Sequence, residues 1–313
     1  MKDMPYSSRF EPSSASPLFV LAMDHRESFG RTLFGVKGVS SEAQVKAMRS
    51  AKQVVYEGAR LATAEGLVFG RAGILVDEHL GADVARQAKI DHFILAMPIE
   101  KSGTELFELE YGDDFAQHVE EFDPDFFKVL VRYNPDDDPQ TRNTQIERLA
   151  NISSWAKHAD RRWLFELLVP PTREQLARYD DQYHFDEFAR PGLTVTTIAA
   201  FTKGGVRPTI WKLEGYETTE GAQEVLDAVA RAGEPLADCI VLGRNAALSQ
   251  VEHWIDVAAP LTGFVGFAVG RTIWEVPLRS MLSGASSRDD AVKAVARNYR
   301  ELIDEYCAAL APH

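Results

Sequence analysis

The sequence predicts an α/β chain folded as a single (β/α)8 TIM barrel, and three observations predict it. Eight short apolar runs recur along the 313 residues, each followed by a helical pattern. The runs are almost continuously apolar, as strands of a parallel sheet flanked by helices must be. The turn after the first run reads MDHRESFG, in place of the glycine-rich fingerprint that an open doubly wound sheet normally carries there. Alternation without that fingerprint favours closure into a barrel.

The strand runs, in order, are PLFVLAMDHR (17–26), GILVDEHLG (73–81), HFILAMPIE (92–100), FFKVLVRYNP (126–135), RWLFELLVP (162–170), TIWKLEG (209–215), CIVLGRN (239–245) and GFVGFAVGR (263–271). Between them, amphipathic patterns predict helices. The first covers 41–65, opened by a capping box of Ser41 and Gln44 and ended by Gly66. Further helices are expected over 139–158, 172–180, 192–203, 217–232, 245–258 and 287–310, with a weaker one over 112–121. No low-complexity linker interrupts the pattern. One barrel domain is therefore expected over 17–313, behind a polar N-terminal extension over 1–16.

Composition narrows the function classes. With 45% hydrophobic and 26% charged residues the chain is globular, and it is long enough to bury a core without disulfides or metals. A net charge of -13 repels phosphate backbones and anionic lipid, so neither nucleic acid nor membrane is an expected partner. A small anionic substrate stays open, because a few local cations can dominate one pocket. Cys239 and Cys307 make neither a disulfide framework nor a zinc site. The N-terminal segment lacks the apolar core of a signal peptide, and no run reaches the length of a bilayer span. These readings predict a cytoplasmic protein without a cofactor.

The active site of such a barrel forms at the C-terminal ends of its strands. There the runs turn to charge: Asp24, His25 and Arg26; Asp77, Glu78 and His79; Glu100 and Lys101; Arg132; Glu214; Gly243 and Arg244; Gly270 and Arg271. A single charge at a strand end is commonly a solvated loop residue. Lys128, Glu166 and Lys212 differ, because they lie inside the fourth, fifth and sixth runs, where alternate residues point inward. The bland alternative is a buried Lys-Glu-Lys network without chemistry. The chemical reading is imine formation. A lysine attacks a ketone only as the free amine, and desolvation and a second ammonium both favour that form. Glu166 can supply the proton for carbinolamine collapse, and Asp24 can accept a hydroxyl proton during retro-aldol cleavage. The matched ends VLGRN and AVGRT, with Gly243, Arg244, Gly270 and Arg271, suit a phosphate between the last two strands. The alternative there is turn glycines with surface arginines.

Together LAMDHR, AMPIEKSG, EYGDDF, KVLVRYNP, LFELLVP, IWKLEG, CIVLGR and GFAVGRTIW resemble the 2-deoxy-5-keto-gluconate 6-phosphate aldolase family of inositol catabolism, over about Leu18 to Tyr306. More distantly the chain is similar to class I tagatose-bisphosphate and sulfosugar-phosphate aldolases. The resemblance implies an imine on Lys212, with Lys128, Glu166 and Asp24 around it, and phosphate held at Gly243, Arg244, Gly270 and Arg271. It implies dihydroxyacetone phosphate and malonate semialdehyde as products. The carboxylate end of that substrate needs a cation, for which Arg26, Lys101 and Arg132 are candidates. It leaves the oligomeric state loosely fixed, a homo-oligomer included.

Three other readings compete. A sulfosugar or tagatose phosphate would use the same Lys212 machinery. A metal-dependent aldolase would need histidines and carboxylates converging on zinc; His25 and His79, with Asp77 and Glu78, are the residues to consider. A non-catalytic sugar-phosphate-binding barrel would form no imine. The remaining features get structural readings: Trp155, Trp163, Trp254 and Trp274 as helix-to-barrel packing, Trp211 as facing the helices, and Asp136 to Asp138 as a solvated turn.

Overall fold

The computed structural model describes residues 10–64, 66–67, 70–233 and 236–310. Eight parallel strands close into a barrel in chain order: β1 (Leu18–Ala22), β2 (Arg71–Leu75), β3 (Ile94–Pro98), β4 (Phe126–Arg132), β5 (Trp163–Leu168), β6 (Ile210–Glu214), β7 (Asp238–Leu242) and β8 (Phe264–Val269). The ring shuts where β8 pairs with β1. Gly266 sits at that seam with φ +138°, and a Cβ there would run into the carbonyl oxygen of Leu18. Only glycine fits the closure.

Among the described residues twelve α-helices surround the strands: α1 (Glu27–Phe34), α2 (Glu42–Ala62), α3 (Glu78–Ile90), α4 (Phe115–Phe122), α5 (Pro139–His158), α6 (Arg173–Tyr179), α7 (Gln182–Phe188), α8 (Arg190–Lys203), α9 (Thr219–Arg231), α10 (Leu248–Ala258), α11 (Arg271–Leu282) and α12 (Arg288–Ala309). The predicted capping box opens α2: Gln44 N–H donates to the Ser41 hydroxyl, and Ser41 N–H donates back to the Gln44 side chain. No described helix is long and apolar enough to cross a membrane.

Residue alternation divides the core in two. Leu18, Val20, Ile94, Phe126, Leu164, Ile210 and Ile240 fill the barrel interior. The opposite faces of the same strands pack against the helices, where Phe127, Trp163, Phe165 and Trp211 stack in sequence at 5.7, 5.5 and 4.9 Å between ring centroids. Trp211 thus faces the helices, as its alternation with Lys212 requires. Burying aromatics of this size contributes roughly 1.5–3 kcal/mol each. Below the strands, Phe10 packs on the interior cluster while Arg162 donates to its carbonyl at 2.6 Å. Of the extension read over 1–16, residues 1–9 lie outside the described residues, as does residue 65, the expected end of the first long helix.

Several predicted elements shift. The second run does not continue to Gly81: the strand stops at Leu75, and Glu78 and His79 belong to α3. The Asp77 carboxylate accepts from Leu80 N–H at 2.8 Å, so the charge that looked like a strand end is a helix N-cap. The helix expected over 172–180 is α6, which stops at Asp180 with φ 62°, and α7 follows it as a separate, unpredicted helix. α1, α3, α7 and α11 had no sequence counterpart. α1 is short and contains Gly30, and α11 runs through Pro277, both of which weaken a helical pattern. Asp136, Asp137 and Asp138 do form a turn open to solvent, and their carboxylates also organise it. They accept from Gln175, from Asn134 N–H and from Thr141 N–H, at 2.8, 3.0 and 2.9 Å.

Candidate active site

Inward alternation lifts Lys128, Glu166 and Lys212 two residues above Phe126, Leu164 and Ile210, onto the top of the interior core. The register aligns Leu130 with Glu166, and Glu166 with Lys212. All three charged side chains are buried, at 1%, 7% and 4% exposure. Glu166 Oε2 lies 2.9 Å from Lys212 Nζ and 2.9 Å from Lys128 Nζ. Lys128 Nζ also donates to Asp24 at 2.8 Å and to Glu100 at 2.7 Å.

The electrostatics follow from that count of partners. Burial opposes the charge on Lys128, but Asp24, Glu100 and Glu166 outweigh it and hold the ammonium above the ordinary lysine value. Burial likewise opposes ionisation of Asp24, yet Lys128, with His25 and Lys212, keeps that carboxyl far below its usual range. Glu166 is held low in the same way by Lys128 and Lys212 against its burial. Glu100 goes the other way: burial wins over Lys128 and Arg26, and its carboxyl is raised. Burial pushes His25 down to about 4, against Asp24 and with help from Arg271, so its ring is neutral at pH 7.

Around the cluster opens a cleft of about 370 Å³, within the range of small-molecule sites. Its lining brings together Asp24, Arg26, Lys101, Lys128, Arg132, Glu166, Lys212, Gly243, Arg244, Gly270 and Arg271. The cations are not equally available. Arg26 donates to Glu110 at 2.9 Å and to the Glu100 carbonyl at 2.7 Å. Lys101 faces Glu108 at 3.6 Å. Arg244 is paired with Asp186 and, at 3.2 Å, with Glu214, so the two arginines after β7 and β8 are not equivalent. Arg271 opens α11, whose N-cap, Gly270, offers no side-chain acceptor to the first-turn N–H groups. The glycines have a packing reason of their own. A Cβ on Gly243 would stand 2.9 Å from Val269 Cγ1, and one on Gly270 would strike the Ala22 carbonyl.

His79 does not join this cleft: it is exposed on α3, and its carbonyl accepts from Arg49. Asp77 is buried with Lys52, whose ammonium also donates to Met23 O at 2.6 Å. The sequence reading passed over Glu100, noted only as a strand-end charge, and weighed His25 only as a metal ligand. It also missed Asp186 and Arg190, a buried ion pair behind Arg244. Nothing local marks that pair, because α7 had no predicted counterpart.

A family model described as an uncharacterized protein conserved in bacteria (DUF2090) matches residues 7–309. The chain belongs to that family. No curated protein matches this DUF2090 member. Among solved structures it is similar to a fructose-bisphosphate aldolase from Plasmodium falciparum, crystallised with TRAP and a small-molecule inhibitor. That match has 10% identity and a TM-score of 0.66, over 94% of this chain and 91% of the other. It is also similar to the protein Cgl0159 from Corynebacterium glutamicum, at 17% identity and TM-score 0.56, over 91% and 86%. Identities this low establish the shared (β/α)8 fold and leave the chemistry to the site.

Proposed function

We propose that this chain is a class I aldolase that cleaves a ketose phosphate through an imine on Lys212. The observation that carries the reading is one buried carboxylate oxygen, Glu166 Oε2, placed 2.9 Å from each of two lysines at the barrel mouth. Lys128 has three carboxylate partners and stays an ammonium, whereas Lys212 has Glu166 alone. That asymmetry assigns the roles. Lys212 is the amine free to react, and Lys128 supplies fixed positive charge.

In the forward reaction Glu166 takes a proton from Lys212, whose Nζ attacks the ketone carbon. The protonated Glu166 then gives its proton to the carbinolamine hydroxyl, which leaves as water, and a protonated imine remains. Removal of the proton on the distal hydroxyl sends the electrons of the adjacent C–C bond onto the imine nitrogen. The aldehyde departs and an enamine is left. Reprotonation of the enamine carbon and hydrolysis return the amine and the second product. Asp24 was expected to accept the hydroxyl proton. Lys128 holds it so strongly ionised that it suits orienting the hydroxyl better than keeping its proton. Glu100, in the same lining with a raised carboxyl, is the stronger base and the better acceptor.

Arg271, with the uncapped start of α11 beside it, suits the phosphate. The finer reading, on the sequence resemblance, is cleavage of 2-deoxy-5-keto-gluconate 6-phosphate to dihydroxyacetone phosphate and malonate semialdehyde. Borohydride added with dihydroxyacetone phosphate, followed by peptide mass mapping, is the test. A reduced adduct on Lys212 is expected. A label elsewhere, or turnover that survives Lys212→Met, overturns the proposal.

A further inference from the structure

The cations of the cleft sort by whether they already have a partner. Arg26, Arg31, Lys101 and Arg244 each face a carboxylate. Among the described residues, the side chains of Arg132 and Arg271 alone of the lining arginines and lysines have no ion pair or hydrogen bond with another residue. In a chain with 47 acidic residues, two unpaired guanidinium groups in one cleft stand out. Among the described residues, Glu105 is the one lining carboxylate outside the lysine cluster.

Their placement follows from topology. Arg132 ends β4 and Arg271 follows β8, four strands apart in a ring of eight, which puts them on opposite sides of the mouth. Lys212, on β6, is two strands from each. Arg132 also stands above the reacting layer. Leu130 is the register partner of Glu166, and Arg132 lies two residues beyond it, roughly 6.6 Å of strand rise. Leu130 lines the cleft between Lys128 and Arg132, and Leu168, the register partner of Arg132, lines it at the level of Arg132, so the wall beside a carbon chain is apolar there.

We infer that Arg132 binds a second anionic group, at the end of the substrate remote from the phosphate, and is the residue that selects for it. The substrate class is then an open-chain ketose phosphate whose far terminus carries an oxyanion, seated across the mouth from β8 to β4 with its keto carbon over Lys212. Of the three cations considered for that end, Arg26 and Lys101 already have partners and Arg132 does not. The assignment of the phosphate end and of Lys212 rests on the aldolase reading; the anion subsite at Arg132 can be tested without it.

Two unreactive six-carbon chains isolate the second anion. 6-Phosphogluconate carries a terminal carboxylate where glucitol 6-phosphate has a neutral hydroxymethyl group. Calorimetry on the wild-type chain is expected to show 6-phosphogluconate bound roughly 10- to 100-fold tighter, the effect of one charge-assisted guanidinium contact. Arg132→Gln should abolish that preference by weakening 6-phosphogluconate alone, and Arg132→Lys should keep part of it. Arg271→Gln should weaken both ligands alike. Equal wild-type affinities, a preference that survives Arg132→Gln, or a parallel loss of both ligands in that variant overturns the inference. Borohydride trapping on Lys212 is a separate readout. A missing imine with an Arg132-dependent preference sinks the aldolase reading and leaves the anion site standing. The converse result does the opposite.

Discussion

Glu166 and Lys212 are register partners on adjacent parallel strands, and Glu166 Oε2 and Lys212 Nζ meet at 2.9 Å inside the barrel mouth. Backbone pairing, and not a flexible loop, sets that contact. Glu166→Gln keeps the shape and removes the proton carrier. It should lower kcat by about 10²- to 10⁴-fold while borohydride still labels Lys212 slowly. An unchanged kcat would show that another group moves the proton.

Lys128 is a charge that the fold itself needs. Lys128→Met would leave Asp24, Glu100 and Glu166 buried together without their shared cation, at a cost of about 3–5 kcal/mol in urea unfolding. Lys212→Met should destabilise far less, because Glu166 keeps Lys128 as a partner. Equal losses in the two variants would contradict the assigned division of roles.

Acid should destabilise the fold partly through His25. Its ring is pushed down to about 4, against 6.5 when free. Between those values the unfolded chain binds a proton that the native state refuses, so stability falls as pH drops through the window. His25→Gln should make the stability–pH curve shallower between about pH 6.5 and pH 4. A curve parallel to wild type would exclude His25 as a contributor.

Asp238, at the start of β7, has the opposite sign. Burial, with Glu11 nearby, raises its carboxyl to about 6. The native state therefore binds the extra proton, and stability is lost as pH rises from about 4 through 6. Asp238→Asn should raise stability by about 1 kcal/mol at pH 7, allowing for partial solvent exposure, and by little at pH 3. Denaturant titrations at the two pH values decide it.

How much of this was legible in the sequence depended on range. The eight strands showed as apolar runs because burial on both faces leaves a local signature. Lys128, Glu166 and Lys212 stood out because a charge inside such a run breaks it. Helices whose patterns were short or interrupted were lost, α1 at Gly30 and α11 at Pro277. Asp77 was misplaced because a helix cap and a strand-end charge look alike in one dimension.

By itself the sequence determined the barrel and which side chains face its axis, since both follow from a period of two within strands and from their order along the chain. Only the tertiary structure decided which of those charges are already satisfied. Asp186 reaches Arg244 across 58 residues, Glu110 reaches Arg26 across 84, and Asp24 reaches Lys128 across 104. Pairings over such separations depend on how closed strands and their loops converge in space. They left Arg132 and Arg271 uncommitted at opposite sides of one cleft.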